Sequence, residues 1–237
     1  MKAFLVIVAL SFLSLGCSNS PKEHIASDNN KEKVSIHQKI KEDLTDGLSH
    51  PNTLIVDEPN LPKNKWVAER GHSSISFTSR HWEIVDLIGF FDDFEVSMYF
   101  EKADFSDAVI FAKANPYSIV MPNFKMAGAL INEEYFHADK YPIIEFKSIL
   151  FMPLHDSDYA LTGLLKIKGI EKEIHLNAKF NGYAYPEEKR FAGFSAQGKF
   201  SRYDYNIGGK NTLHSGKLMH SDSISFIINL RMENIPR

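Results

Sequence analysis

The chain has 237 residues, 43% apolar and 24% charged, with a formal net charge of −3. That is enough for one globular domain with a sizeable core and an additional N-terminal segment, without the basic excess that marks a nucleic-acid binder. The single cysteine, Cys17, excludes an intrachain disulfide, so the fold must rest on its core. The chain holds 18 Phe, which predicts either a large aromatic core or an apolar cavity.

Residues 1–16 read as a signal peptide. Lys2 supplies the positive start and Ala3–Leu15 the apolar run, which is too short for a spanning helix of about 20 residues. The next stretch, Leu13-Ser14-Leu15-Gly16-Cys17, resembles a bacterial lipoprotein signal, with Gly16 as the small residue before the cysteine and Ser14 where that pattern usually has Leu. The resemblance implies lipidation at Cys17 and an extracytoplasmic, periplasmic protein anchored to a bacterial membrane. The plainer alternative is an ordinary signal peptide cut nearby. Stable anchoring takes more than one acyl chain, which the lipoprotein modification would provide.

Residues 17–63 change character. Ser18–Glu23 and Ser27–Lys33 are polar and breaker-rich, and read as a tether with little apolar surface to drive folding. Ile36, Ile40, Leu44 and Leu48 recur at four-residue spacing and predict a short amphipathic helix over 34–48. Such a helix either docks on the domain or binds a partner.

From residue 64 to 237 the pattern is strand-like. Alternation predicts strands around Ile75 and Phe77, over Phe94–Phe100, over Ala108–Ala114, after Pro142 from Ile143 to Phe151, over Arg190–Arg202 and over Ser223–Glu233. The strongest hairpin signal is Tyr159–Phe180. Tyr159, Leu161, Gly163, Leu165 and Ile167 alternate along one arm, and Ile174, Leu176, Ala178 and Phe180 along the other, about a tight loop near Lys168–Glu171. A helical insert is predicted between Asn123 and Tyr141, from Met126–Ile131 and Glu133–Phe136. About eight short-connected strands predict an all-β fold, a closed antiparallel barrel or a sandwich.

From Trp66 to Glu233 the chain resembles the YceI-like, lipid- and polyisoprenoid-binding family. The resemblance rests on pieces in order: Trp66 with His72–Phe77; Arg80-His81 leading into Gly89–Phe94; Glu133–Phe146; the hairpin arm Gly163–Ile170; Gly193–Ala196; and Phe200–Gly208. His137 stands where Asp is usual, Tyr205-Asn206 replaces Phe-Gly, and Lys166 replaces a Thr. The resemblance implies a lipocalin-like barrel of about eight strands holding a long apolar lipid, such as a polyisoprenoid or isoprenoid quinone, with no other cofactor. Expected ligand contacts are the alternate apolar positions Phe77, Phe94, Met98, Phe146, Leu165, Ile174, Leu176, Phe194, Phe200 and Phe226, for each of which plain core packing is the competing role. His81, Trp82 and Arg202 are expected near a polar head group, with Arg202 alternatively paired to Asp204 or a nearby carboxylate. Small residues Gly163, Ala178, Ala196 and Gly198 either leave a tunnel or allow tight packing and barrel corners.

Burying a forty-carbon chain from water would gain up to roughly 30 kcal/mol at about 0.8 kcal/mol per CH₂. The real competitor is a bilayer, equally apolar, so exchange is nearly balanced, which suits a carrier or store. Catalytic motifs are missing: no Gly-x-Ser-x-Gly elbow, no phosphate-cradling loop and no tight metal-ligand spacing among the 10 His. The sequence therefore predicts a non-enzymatic, metal-free binding protein. An enzyme for a small apolar substrate would need titratable groups converging inside the barrel. An interaction module would have a filled core. The oligomeric state stays open.

Overall fold

The computed structural model describes residues 61–216 and 218–236. The expected signal peptide, Cys17, the tether as far as residue 60 and the 34–48 helix lie outside the described residues. The described part consists mainly of antiparallel strands: β1 (Asn64–Ala68), β2 (Ser74–His81), β3 (Val85–Phe91), β4 (Phe94–Phe100), β5 (Val109–Ala114), β6 (Ile119–Val120), β7 (Ile144–Pro153), β8 (Asp158–Ile167), β9 (Ile170–Ala184), β10 (Phe191–Ser201) and β11 (His220–Ile235). One short helix, α1 (Phe124–Leu130), lies between β6 and β7.

Eight strands close into a ring in the order β1–β4–β5–β7–β8–β9–β10–β11, and β11 returns to β1. The expected closed antiparallel barrel is thus the observed fold. β11 serves two neighbours on one side. Its residues Met232–Ile235 pair with β1, while Ile224–Asn229 pair with β2. From β2 the sheet continues to β3 and then to the short β6.

The β8–β9 hairpin shows why the sequence builds a wall here. Tyr159, Leu161, Leu165, Ile167, Ile174, Leu176 and Ala178 are all buried on one face. On the other face Lys166 forms an ion pair with Glu145 at 3.1 Å. The turn is two residues, Lys168 (φ 52°) and Gly169 (φ 75°), the left-handed pair whose twist matches that of the flanking strands. Gly169 is required twice over, since a Cβ there would lie 2.9 Å from the Tyr141 ring.

Two departures from the family pattern fall on comparable backbone. His137 (φ 50°) and Asn206 (φ 53°) both adopt left-handed conformations. Asn, Asp and His are the non-glycine residues most enriched in that region, so the exchanges keep the local fold.

The helical insert is shorter than expected. α1 stops at Leu130, and Glu133–Phe136 form turns rather than helix. Backbone bonds from Phe136 and Ala138 back to Leu130 and Ile131 close these turns. β1, β3 and β6 had no clear alternation to announce them. β3 in particular is apolar on both faces, with Leu87 and Phe91 inward and Ile88 and Phe90 outward.

One end of the barrel is filled by aromatic rings. Phe105 comes from the β4–β5 turn, held inward by a left-handed backbone (φ 58°) and almost wholly buried. Its ring meets those of Phe100, Tyr159, Phe180 and Phe194 at centroid distances of 4.7, 5.9, 5.0 and 5.3 Å. Trp66 stacks on Phe100 and Phe151 on Tyr159. Edge and offset ring pairs of this kind add to area burial. Together they close that end.

Candidate functional site

Beyond the aromatic plug the barrel is hollow. A cavity of ≈360 Å³ occupies the interior, within the roughly 300–1,000 Å³ range of small-molecule sites. Alternation along the strands supplies its wall: Ile224, Phe226, Ile228, Leu230 and Met232 of β11, Leu161, Leu165 and Ile167 of β8, and Ile174, Leu176 and Ala178 of β9 all face it. Phe151 and Phe194 form the floor against the plug. Across the other end lie Met126, Ala129 and Leu130 of α1, with Met121, Tyr135 and Phe136.

Glycine shapes this interior differently from the tunnel reading. A Cβ at Gly89 would sit 2.3 Å from the Phe77 ring, at Gly163 2.3 Å from the Phe146 ring, and at Gly198 2.6 Å from the Phe226 ring. The far end of each Phe therefore rests on the bare backbone of a neighbouring strand. Gly163 and Gly198 do not themselves open space; they receive rings that would otherwise project into the lumen. Ala178 and Ala196 do face the cavity.

Of the residues singled out from the sequence, Phe77, Met98, Phe146, Leu165, Ile174, Leu176, Phe194, Phe200, Arg202 and Phe226 line the cavity. Three do not. Phe94 is buried at the start of β4 but faces the core outside the cavity. Trp82 is exposed at the tip of the β2–β3 turn. His81 lies one step behind the wall, its Nδ1 3.3 Å from Nδ1 of the cavity-lining His220.

Arg202, Gly209, Asn211 and His220 gather at the end opposite the plug, while Ser76, Ser79, Lys113, Glu145 and Ser195 are the other polar residues of the lining. Arg202 is 5% exposed. It sits in the 3₁₀ turn Arg202–Tyr205 that follows β10. Its Nε donates to the Ser221 carbonyl (2.9 Å) and Nη1 to the Ile207 carbonyl (2.7 Å). Nη2 donates to Tyr203 Oη (2.9 Å) and to the Gly209 carbonyl (3.1 Å), and the guanidinium stacks on the Tyr203 ring at 4.3 Å. The expected carboxylate partner is not found: among the described residues no ion pair involves Arg202, and Asp204 points to solvent from the same turn. Neutral oxygens satisfy the cation instead, and it ties the 207–209 loop to the start of β11. Gly208 (φ 65°) permits this, because a Cβ there would lie 2.7 Å from Nη1.

His220 is held below its ordinary range by burial first, and then by its neighbours His81 and Arg202. Its imidazole is therefore kept neutral beside a fixed cation. Close by in the chain, Tyr205 is fully buried and packs edge-on against Phe200. Burial pushes its phenol up to about 12, and among the described residues its hydroxyl has no hydrogen-bond partner. No group of three or more His, Cys, Asp or Glu able to hold a metal occurs among the described residues.

Met121, Met126, Leu130 and Tyr135, which cover the polar end, carry no strand alternation to mark them as lining residues. The available signal was the composition of the helical insert: a helix of Met, Ala and Leu between strands of a barrel needs an apolar surface to rest on.

The comparisons with known proteins agree with this architecture. A UPF0312 protein of Staphylococcus aureus (strain MSSA476) is 29% identical over 157 residues, 65% of this chain and 89% of that protein. The Campylobacter jejuni YCEI protein is 26% identical with a TM-score of 0.54, covering 63% of this chain and 85% of that chain. Burkholderia cenocepacia BcnA, at 18% identity, shares the fold with a TM-score of 0.59 over 69% of this chain and 98% of its own. Residues 66–232 match the YceI-like domain, and on that match the chain belongs to the YceI-like family.

Proposed function

We propose that this protein binds one long apolar lipid of the isoprenoid class inside its barrel and acts as a carrier or store outside the cytoplasm, anchored to a bacterial membrane through Cys17. The observation that carries the reading is the cavity itself. It is walled mainly by carbon, closed by aromatic rings at one end, and flanked at the other by Arg202, Asn211 and His220. A polyprenyl chain or the tail of an isoprenoid quinone would lie along the wall, with its polar head beside Asn211 and His220. Arg202 contributes as a fixed positive charge whose donors already serve the protein. A head group would thus feel its field without a bidentate clamp. An enzyme would need titratable groups converging in the lumen, where this barrel presents mainly Leu, Ile, Met and Phe, and where the lining Glu145 is already paired with Lys166.

The test is organic extraction of the purified protein followed by mass spectrometry. The expected result is one co-purifying isoprenoid lipid in near-stoichiometric amount. Protein that yields no lipid and takes up none from mixed micelles would sink the reading. The anchoring half is tested separately: metabolic labelling with a fatty acid should mark the wild-type chain and leave Cys17→Ser unmarked.

A further inference from the structure

We propose that the end of the barrel opposite the aromatic plug is a bilayer-docking surface, formed by the β2–β3 turn and the first turn of α1. This rests on the lipid-binding reading above and adds the partner from which the ligand is taken. Two elements at that end expose large apolar side chains. In the β2–β3 turn they are Trp82, Ile84 (72% exposed) and Val85; at the start of α1 it is Phe124 (77% exposed). From the turn, Ile88 and Phe90, both exposed, continue along β3, Phe90 pairs with the exposed Val120, and Val120 leads through residues 121–123 to Phe124. Contiguous exposed apolar surface on a folded domain marks a site of interaction.

The same elements reach the cavity from within. Leu87 of β3 and Met126, Ala129 and Leu130 of α1 line it. Trp82 stacks on His81 at 4.7 Å, and His81 packs at a tilt against the cavity-lining His220 at 4.6 Å. The exposed patch is therefore the outer side of the cavity's unplugged end. This favours a lipid phase as occupant over a protein: a water-insoluble chain must enter here, and a mouth seated on the bilayer spares it any passage through water. Tryptophan with aliphatic neighbours is also the side-chain set of a membrane interface. Charges near the patch are few, with Glu83 in the turn, Lys125 beside Phe124, and Arg80 paired to Asp86 at 3.0 Å. The plugged end also exposes Leu154, Tyr183 and Tyr185. There they stand beside Asp156, Glu187 and Glu188 in sequence, and the aromatic plug closes the barrel behind them.

The chain's two tryptophans make the test direct. Trp66 is buried in the plug and Trp82 is at the proposed contact. The full chain is mixed with phosphatidylcholine–phosphatidylglycerol vesicles whose acyl chains are either brominated or plain. We expect a drop of about one-third or more in tryptophan emission with brominated vesicles alone. Trp82→Phe should abolish the drop, since it removes the reporter. The double variant Ile84→Asp/Phe124→Asp, which keeps Trp82 and alters no cavity-lining residue, should also abolish it, whether or not the N-terminal segment holds the chain on the vesicle. Bromine-independent emission in the wild-type chain would overturn the proposal and assign the patch to a protein partner; quenching that persists in the double variant would overturn it equally. Lipid extraction from the same double variant separates the two ideas. Bound isoprenoid with lost quenching supports both, and quenching of a wild-type chain that yields no extractable lipid keeps docking while removing the cargo.

Discussion

Replacing Gly163 by Ala tests how the lumen is kept open. A methyl group built there meets the Phe146 ring at 2.3 and 2.4 Å and the Lys147 carbonyl at 2.6 Å. The ring can swing toward the cavity, but the carbonyl belongs to the neighbouring strand and cannot move without disturbing the β7–β8 ladder. Overpacking of this kind costs about 1–3 kcal/mol, and the loss of glycine's freedom in the unfolded chain returns about 0.4–1 kcal/mol. The net expectation is a loss of about 1–2 kcal/mol, or roughly 2–8 °C in Tm at 2–4 °C per kcal/mol for a domain of this size. Gly89→Ala is the control, since the atoms nearest its methyl belong to the far end of the Phe77 ring and not to backbone, and that ring can turn into the lumen. It should cost less than about 1 kcal/mol while still shrinking the cavity. Urea denaturation gives the stabilities, and uptake of an environment-sensitive apolar dye reports the cavity. Equal stability losses in the two variants, or a Gly163→Ala protein with wild-type stability and dye uptake, would refute the idea that these glycines seat the rings.

Three further predictions follow from the interior. Ala178→Phe should abolish dye and lipid uptake while the barrel still folds, at a cost of about 1–3 kcal/mol; a variant that still takes up ligand would mean the cavity near β9 is not the binding volume. Tyr205→Phe removes a buried hydroxyl without a partner and should raise stability by about 1 kcal/mol or more, since such groups cost about 1–3 kcal/mol. Because the folded phenol titrates at about 12 rather than 10, the unfolded chain loses its proton first. Stability is then full below pH 10 and falls as pH rises toward 12, and this alkaline slope should flatten in Tyr205→Phe. For His220, whose folded value lies below the ordinary 6.5, the unfolded chain gains its proton first. Stability should hold above pH 6.5 and decline as pH falls through the folded value, a decline reduced in His220→Gln when followed by urea denaturation at stepped pH.

Much of the barrel was legible because strand alternation reports which face a side chain takes. The β8–β9 hairpin and β11 present their alternate residues to the cavity as the period of two requires. What alternation does not encode is depth along the barrel axis. Phe94 and Met98 share a face of β4, yet only Met98 reaches the cavity, because the stagger between strands decides which rung meets the lumen. Phe105 escaped notice because it comes from a turn, where no period applies, and its inward path depends on a left-handed backbone at a phenylalanine. Arg202 misled for another reason. A charged side chain in a sequence suggests a charged partner, whereas the folded turn offers it carbonyl oxygens from residues several positions away.

The pairing of β1 with β11 also bears on how the chain acquires its structure. Ala68 must find Met232, and Lys65 must find Ile235. The ring therefore cannot be completed until nearly the whole domain has been made. At about 5–20 residues per second, synthesis of the intervening stretch takes roughly 8–30 s. During that interval β1 and β2 lack their partner on β11 and present open edges, and contacts so distant in sequence form slowly even once both are present. A chain of this topology stays open during its own synthesis and depends on whatever shields those edges until its last strand arrives.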